Sequence, residues 1–166
     1  MTWAGAITDF NKAIELNPNY FDAYNNRGVV KKDLKDYRGA ISDYSKSIEL
    51  NANNAEAYFN RGIGKVNLKD YRGAIVDFSK AIAIEPLNNE NYFHRANAKS
   101  SLNDFDGAIL DYTNAIEIDP KDSDAYIGRG FAKNQLLQKD SACLDWSKAG
   151  ELGDANAYEL IKNNCN

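Results

Sequence analysis

The chain has 166 residues and 18.5 kDa, enough for one substantial core and too short for two comfortable domains. Its 20 basic and 24 acidic residues leave a net charge of −4 and a pI near 5.0, so bulk charge argues against a phosphate-tracking surface or an anionic-membrane surface. Two cysteines exclude a disulfide-dense scaffold, and no run of about 18 apolar residues offers a membrane span. The opening stretch MTWAGAITDFNK has no basic cluster followed by a long apolar run, so it does not read as a secretory leader.

The three prolines, Pro18, Pro86 and Pro120, are 68 and 34 residues apart, and 68 is twice 34. Shifting the chain by 34 brings Tyr24, Tyr58, Tyr92 and Tyr126 into register. Arg27, Arg61, Arg95 and Arg129 follow, then Gly28, Gly62, Ala96 and Gly130, then Lys31, Lys65, Lys99 and Lys133. Ala6, Ala40, Ala74, Ala108 and Ala142 form another column, and Phe10, Tyr44, Phe78, Tyr112 and Trp146 an aromatic one. So many columns held through four periods make this an internal repeat, which fixes the architecture before any local assignment.

Taken in chain order, the first element is a helix from about Trp3 to Leu16, the second half of a unit spanning 1–20. The first full unit, 21–54, reads as a helix from Phe21 to Leu34, a polar break at Lys35-Asp36, and a helix from Tyr37 to Leu50. Units 55–88, 89–122 and 123–153 repeat that pattern, and a last helix fits within 154–163. Asparagine-rich joints (Asn51 to Asn54, Asn88 to Asn91) and the prolines end the second helices and supply N-cap acceptors for the next. The fold expected is all-α, built of antiparallel helix pairs with short turns. In each pair the small columns, Gly28 and Ala40 in the first, are expected to face each other and let the helices approach closely. The aromatic column then fills the space around them, and stability is spread along the stack.

The segments YNNRG…LKDYRGAI…SIELN, FNRG…LKDYRGAI…AIAIEP and FHRA…LNDFDGAI…AIEIDP resemble tetratricopeptide repeats, whose period is also about 34 residues. The likeness runs over essentially the whole chain, with arginine before the small residue where leucine is commoner. The last unit departs from its siblings: Lys139 stands for the Tyr37, Tyr71, Phe105 aromatic and Cys143 for the isoleucine. Its tail, CLDWSKAGELGDANAY, is also similar to Sel1-like repeats. The resemblance implies a right-handed superhelical solenoid of about four full repeats, an N-terminal half repeat and a C-terminal capping helix.

It also implies a peptide-binding groove on the first helix of each unit. The matching positions are Asn25, Asn26 and Val29, then Phe59, Asn60 and Ile63, then Phe93, His94 and Asn97, and finally Ile127 and Phe131. Asn26 and Asn60 offer a donor and an acceptor each to an extended backbone, although His94 and Gly128 break that ladder. Phe59, Phe93, Ile127 and Phe131 make an apolar strip for ligand side chains. The rim is acidic at Asp22, Glu56, Glu90 and Asp124, and only Lys32 is available to clamp a carboxylate, so neutral or basic partners are expected.

Catalysis is not expected. His94 is the only histidine and has no nucleophile near it in sequence, no spaced metal-ligand set occurs, and the glycines are periodic packing residues. No cofactor, metal site or nucleic-acid partner is expected. The arginine column would suit phosphates, but Asp9, Asp43, Asp77, Asp111 and Asp145 run beside it, and arginine and lysine are expected to pair with them.

The chain begins in mid-unit, with Trp3 in the Tyr37 column. It therefore reads as a fragment of a longer array, or as a helix whose Trp3, Ile7 and Phe10 dock onto another copy, or both. Self-association is thus the alternative to groove binding as the main role. Cys143 and Cys165 flank the Gly153 turn at ten and twelve residues, which allows a disulfide across a helical hairpin. A free, buried Cys143 in an isoleucine column is the competing reading. The compartment stays open between cytoplasmic and exported, as a soluble chain.

Overall fold

The structure, a computed structural model, describes residues 3–165; Met1 and Thr2 of the expected half repeat, and Asn166, lie outside the described residues. The described chain consists of α-helices joined by short turns, in two compact units, Met1–Pro86 and Leu87–Asn166. The first unit holds α1 (Trp3–Leu16), α2 (Phe21–Asp33), α3 (Tyr37–Leu50), α4 (Ala55–Asn67) and α5 (Tyr71–Ile84). The second holds α6 (Asn89–Ser101), α7 (Phe105–Ile118), α8 (Ser123–Gln135), α9 (Lys139–Glu151) and α10 (Ala155–Asn164). The tightest pairings are α2 with α3 and α4 with α5 in the first unit, and α6 with α7 and α8 with α9 in the second.

The LKDYRGA segment, read from sequence as a polar break, is a two-part device. First, Lys35, Lys69, Asn103 and Leu137 lie in the left-handed region at φ 60° to 63°. The N–H of Asp36 then reaches back to the Lys31 carbonyl at 2.9 Å, satisfying a helix end that would otherwise be orphaned. Second, Asp36, Asp70 and Asp104 cap α3, α5 and α7 by accepting from the N–H of Gly39, Gly73 and Gly107 at 2.9, 3.0 and 3.0 Å. A Cβ on those glycines would stand 2.1, 2.2 and 2.4 Å from the capping carboxylate, so aspartate and glycine are needed together. Before α9 only the first part is kept: Leu137 is left-handed and the Gln138 N–H reaches the Lys133 carbonyl at 3.0 Å, but the Gln138 side chain makes no capping bond and Ser141 holds the glycine position. The asparagine-rich joints do cap the following helices, with Asn54 accepting from Ala57 and Asn88 from Glu90.

Within the pairs the glycine column lies under the aromatic column. A Cβ at Gly28 would stand 2.6 Å from the Tyr44 ring, at Gly62 2.7 Å from Phe78, and at Gly130 2.5 Å from the Trp146 indole nitrogen. The rings of Tyr44, Phe78, Tyr112 and Trp146 are all buried, and each is wider than an alanine. A helix that carries such a ring can come close only where its neighbour has no side chain.

The charged columns pair as the register requires. Arg27 donates from Nε and Nη2 to both oxygens of Asp43 at 2.9 and 2.6 Å, and Lys31 Nζ reaches the same carboxylate at 2.7 Å. The set recurs as Arg61–Asp77–Lys65, Arg95–Asp111–Lys99 and Arg129–Asp145–Lys133. All four aspartates are buried. Hydrogen bonding to Asp43 raises the Arg27 pKa against the opposing effect of burial. Each guanidinium also lies 5.5 to 5.7 Å from the ring of the tyrosine three residues earlier. Arg27, Arg61 and Arg129 reach the preceding second helix through Nη1, to Asn11, Ser45 and Thr113 at 2.7, 3.1 and 3.1 Å. One arginine thereby ties three helices.

Helix α10 packs on α9, and the structure joins Cys143 to Cys165 as a disulfide with Cα atoms 5.8 Å apart.

Two substitutions check this packing. Gly62→Leu drives a side chain into the Phe78 ring and is expected to cost about 3 kcal/mol, read as a lower denaturation midpoint; an unchanged midpoint contradicts the ring-over-glycine contact. Leu137 is 90% exposed and carries left-handed strain with no compensating burial. Leu137→Gly is expected to stabilise the chain by about 1 kcal/mol in the same assay, and a loss of stability refutes the reading.

Candidate functional site

Once the ladders are made, the first helices α2, α4, α6 and α8 keep one face that the pair does not consume. In the first unit Asn26 is exposed, and Val29, Phe59 and Ile63 are half-buried. Asn25 and Asn60 are corrections to the expected groove: their exposures are 2% and 7%. Asn25 sits in the column of Phe59 and Phe93, whose side chains turn toward the aromatic of the second helix. Phe59 meets Phe78 at 5.8 Å and Phe93 meets Tyr112 at 5.9 Å between ring centroids. The Asn60 amide donates to Glu56 at 3.4 Å within its own helix. The apolar strip is therefore shared between interior and surface. Asp22, Glu56, Glu90 and Asp124 are exposed, and each lies in a first helical turn, where the helix dipole favours an acid.

In the second unit Phe93, His94, Asn97 and Ile127 are half-buried, and Phe131 is 50% exposed. His94 packs edge-on against Phe93 at 5.3 Å, and burial lowers its pKa, which keeps the imidazole neutral at neutral pH. An open cavity of about 470 Å³ lies between α6, α8 and α10, with Ile127, Phe131 and Leu160 among its apolar lining. Asn97, Ser100, Ser101, Tyr112 and Gly128 supply the rest. The Tyr112 hydroxyl donates to Asn97 Oδ1 at 2.5 Å, and burial pushes the phenol pKa up.

Sequence reading placed Tyr112 in the core and Leu160 in the cap, so it missed both as cavity residues. The available signal was a double break in the columns. Ala96 replaces the glycine of the other three pairs, and Gly128 replaces Asn26, Asn60 and His94. A Cβ at Gly128 would lie 2.8 Å from the Tyr112 hydroxyl and closer still to its ring, so this glycine admits the phenol.

Helix α1 packs on α2 and has no fully buried residue. Trp3 is 54% exposed, and Ile7 and Phe10 are half-buried. Among the described residues, no group of three or more histidines, cysteines or carboxylates is placed to hold a metal, and no helix is long and apolar enough to cross a membrane.

No curated protein sequence gives a significant match. The crystal structure of MamA superposes with a TM-score of 0.89 at 26% identity, over 94% of this chain and 91% of that one. The Arabidopsis OM64 TPR domain aligns with a TM-score of 0.67 at 25% identity, over 69% and 95%. MamA 41-end from Desulfovibrio magneticus RS-1 has a TM-score of 0.86 at 19% identity over 90% and 85%, a likeness of fold alone. A tetratricopeptide-repeat model matches residues 21–54, and a TPR-repeat model matches 2–35 and 96–136, together more than half of the chain. With helix pairs starting at Phe21, Ala55, Asn89 and Ser123, each 34 residues after the last, the chain belongs to the tetratricopeptide repeat family.

Proposed function

We propose that this protein-interaction scaffold, read as one tandem array of repeats 21–54, 55–88, 89–122 and 123–153, takes an extended polypeptide on the unconsumed face of its first helices. It works without a catalytic group or cofactor. The observation that carries the reading is the division of labour along α2, α4, α6 and α8. Arginine, tyrosine and lysine at one set of positions are spent on internal pairs, while Asn26, Val29, Ile63 and Phe131 are left for a guest. Neutral amides suit a peptide backbone, and half-exposed apolar groups suit its side chains. The exposed acids Asp22, Glu56, Glu90 and Asp124 favour neutral or basic partners over acidic ones. Nucleic acid is disfavoured because the four arginines already hold buried carboxylates.

Self-association is the second reading, favoured by the exposed Trp3 beside Ile7 and Phe10 on α1.

The test is affinity capture from native lysate read by mass spectrometry, with Asn26→Ala plus Phe131→Ala in parallel. Both residues are exposed, so the variant is expected to keep the wild-type helical signal. A partner captured by wild type and lost from the variant is the expected outcome; equal capture by both contradicts it. Recovery of the chain alone, with a solution mass above 18.5 kDa that falls in Trp3→Ala plus Phe10→Ala, moves the role to self-association.

A further inference from the structure

We propose that the cavity of the second unit is a subsite for one tyrosine side chain of the bound polypeptide, an inference that rests on the groove reading above. The cavity has a sided chemistry. Ile127 and Phe131 of α8 and Leu160 of α10 give it apolar walls. Asn97, Ser100 and Tyr112 give it polar groups, and no charged side chain lines it. A charged guest would therefore lose its hydration with no counter-charge to meet it.

An aliphatic guest fits the walls but not the polar side. The Ser100 hydroxyl is buried near the Tyr112 phenol yet has no hydrogen-bond partner of proper geometry. The Tyr112 hydroxyl spends its proton on Asn97 Oδ1 and keeps accepting capacity. A guest with a flat apolar body and a hydroxyl at its tip satisfies both sides at once, which is the chemistry of tyrosine. The volume of about 470 Å³ falls in the range of ligand-sized pockets and admits an aromatic ring.

The column breaks set this repeat apart from the others. The rings of Tyr44, Phe78 and Trp146 lie against a glycine of their own helix pair, at positions 28, 62 and 130. Tyr112 has Ala96 at that position and also lies against Gly128 of the following helix pair. Its phenol oxygen bonds Asn97, and both residues line the cavity. Tyr44, which stays over its own glycine, keeps its hydroxyl buried and unpartnered.

The experiment uses the full chain with ¹³C-methyl-labelled isoleucine and leucine, titrated with N-acetyl-tyrosinamide, N-acetyl-phenylalaninamide and N-acetyl-leucinamide. Saturable shifts of the Ile127 and Leu160 methyls are expected. The tyrosine probe should bind about threefold tighter than phenylalanine and about tenfold tighter than leucine. Ser100→Ala should erase the tyrosine-over-phenylalanine preference while the methyl shifts persist, and Phe131→Ala should weaken all three probes. Leucinamide binding as tightly as tyrosinamide, shifts confined to other methyls, or no shift up to the probe's solubility each overturns the subsite. A lysate partner captured by wild type with no probe effect leaves the groove reading standing and the subsite wrong. Probe binding as described with no captured partner does the reverse.

Discussion

A buried carboxylate must find its counter-charges inside the fold, and the rest of this structure is arranged around four such groups. Asp43, Asp77, Asp111 and Asp145 sit on second helices with their oxygens out of water. Each is met by an arginine at both oxygens and by a lysine one turn further along the same first helix. The guanidinium has a planar fork that matches the carboxylate, a geometry lysine cannot supply. A slip of one residue in either helix would strand a charge in the interior. Ion pairs of this kind give modest net stability and strong register.

The pairing also decides what is left for a partner. Tyrosine, arginine, glycine and lysine, at Tyr58, Arg61, Gly62 and Lys65 for example, line the inner stripe of a first helix. The glycine there accommodates the ring of the second helix, so the pair is held by one polar and one apolar contact side by side. What remains on the other face is amides, hydroxyls and part-exposed apolar side chains, with the exposed acids Asp22, Glu56, Glu90 and Asp124 in the first turns. At Tyr112 the buried ring lies against Gly128, its hydroxyl bonds Asn97, and these residues line a cavity.

Much of this was legible from the amino-acid order because it is periodic. The columns revealed the helix pairs and their boundaries, and the parallel arginine and aspartate columns revealed their own partnership. Less legible were features that depend on distances between columns. Gly28 and Ala40 are both small, and nothing in their spacing says that the Tyr44 ring overlies Gly28. Gly39 reads as a poor helix former until the Asp36 carboxylate is seen where its Cβ would be. Asn25 reads as a surface amide beside Asn26, yet it is buried because its column turns inward. The Ala96 and Gly128 exceptions were visible as broken columns, but their connection through one tyrosine ring needs coordinates.

The most direct measurement of the organising claim is a double-mutant cycle on Arg61 and Asp77, by denaturant unfolding of wild type, Arg61→Met, Asp77→Asn and the double variant. Arg61→Met leaves a buried carboxylate with Lys65 alone and is expected to cost about 3–5 kcal/mol. The double variant should lose less than the sum of the singles, with a coupling of about 2–3 kcal/mol. Additive losses within about 0.5 kcal/mol would mean that the two side chains do not depend on each other, and that the register is held by apolar packing instead.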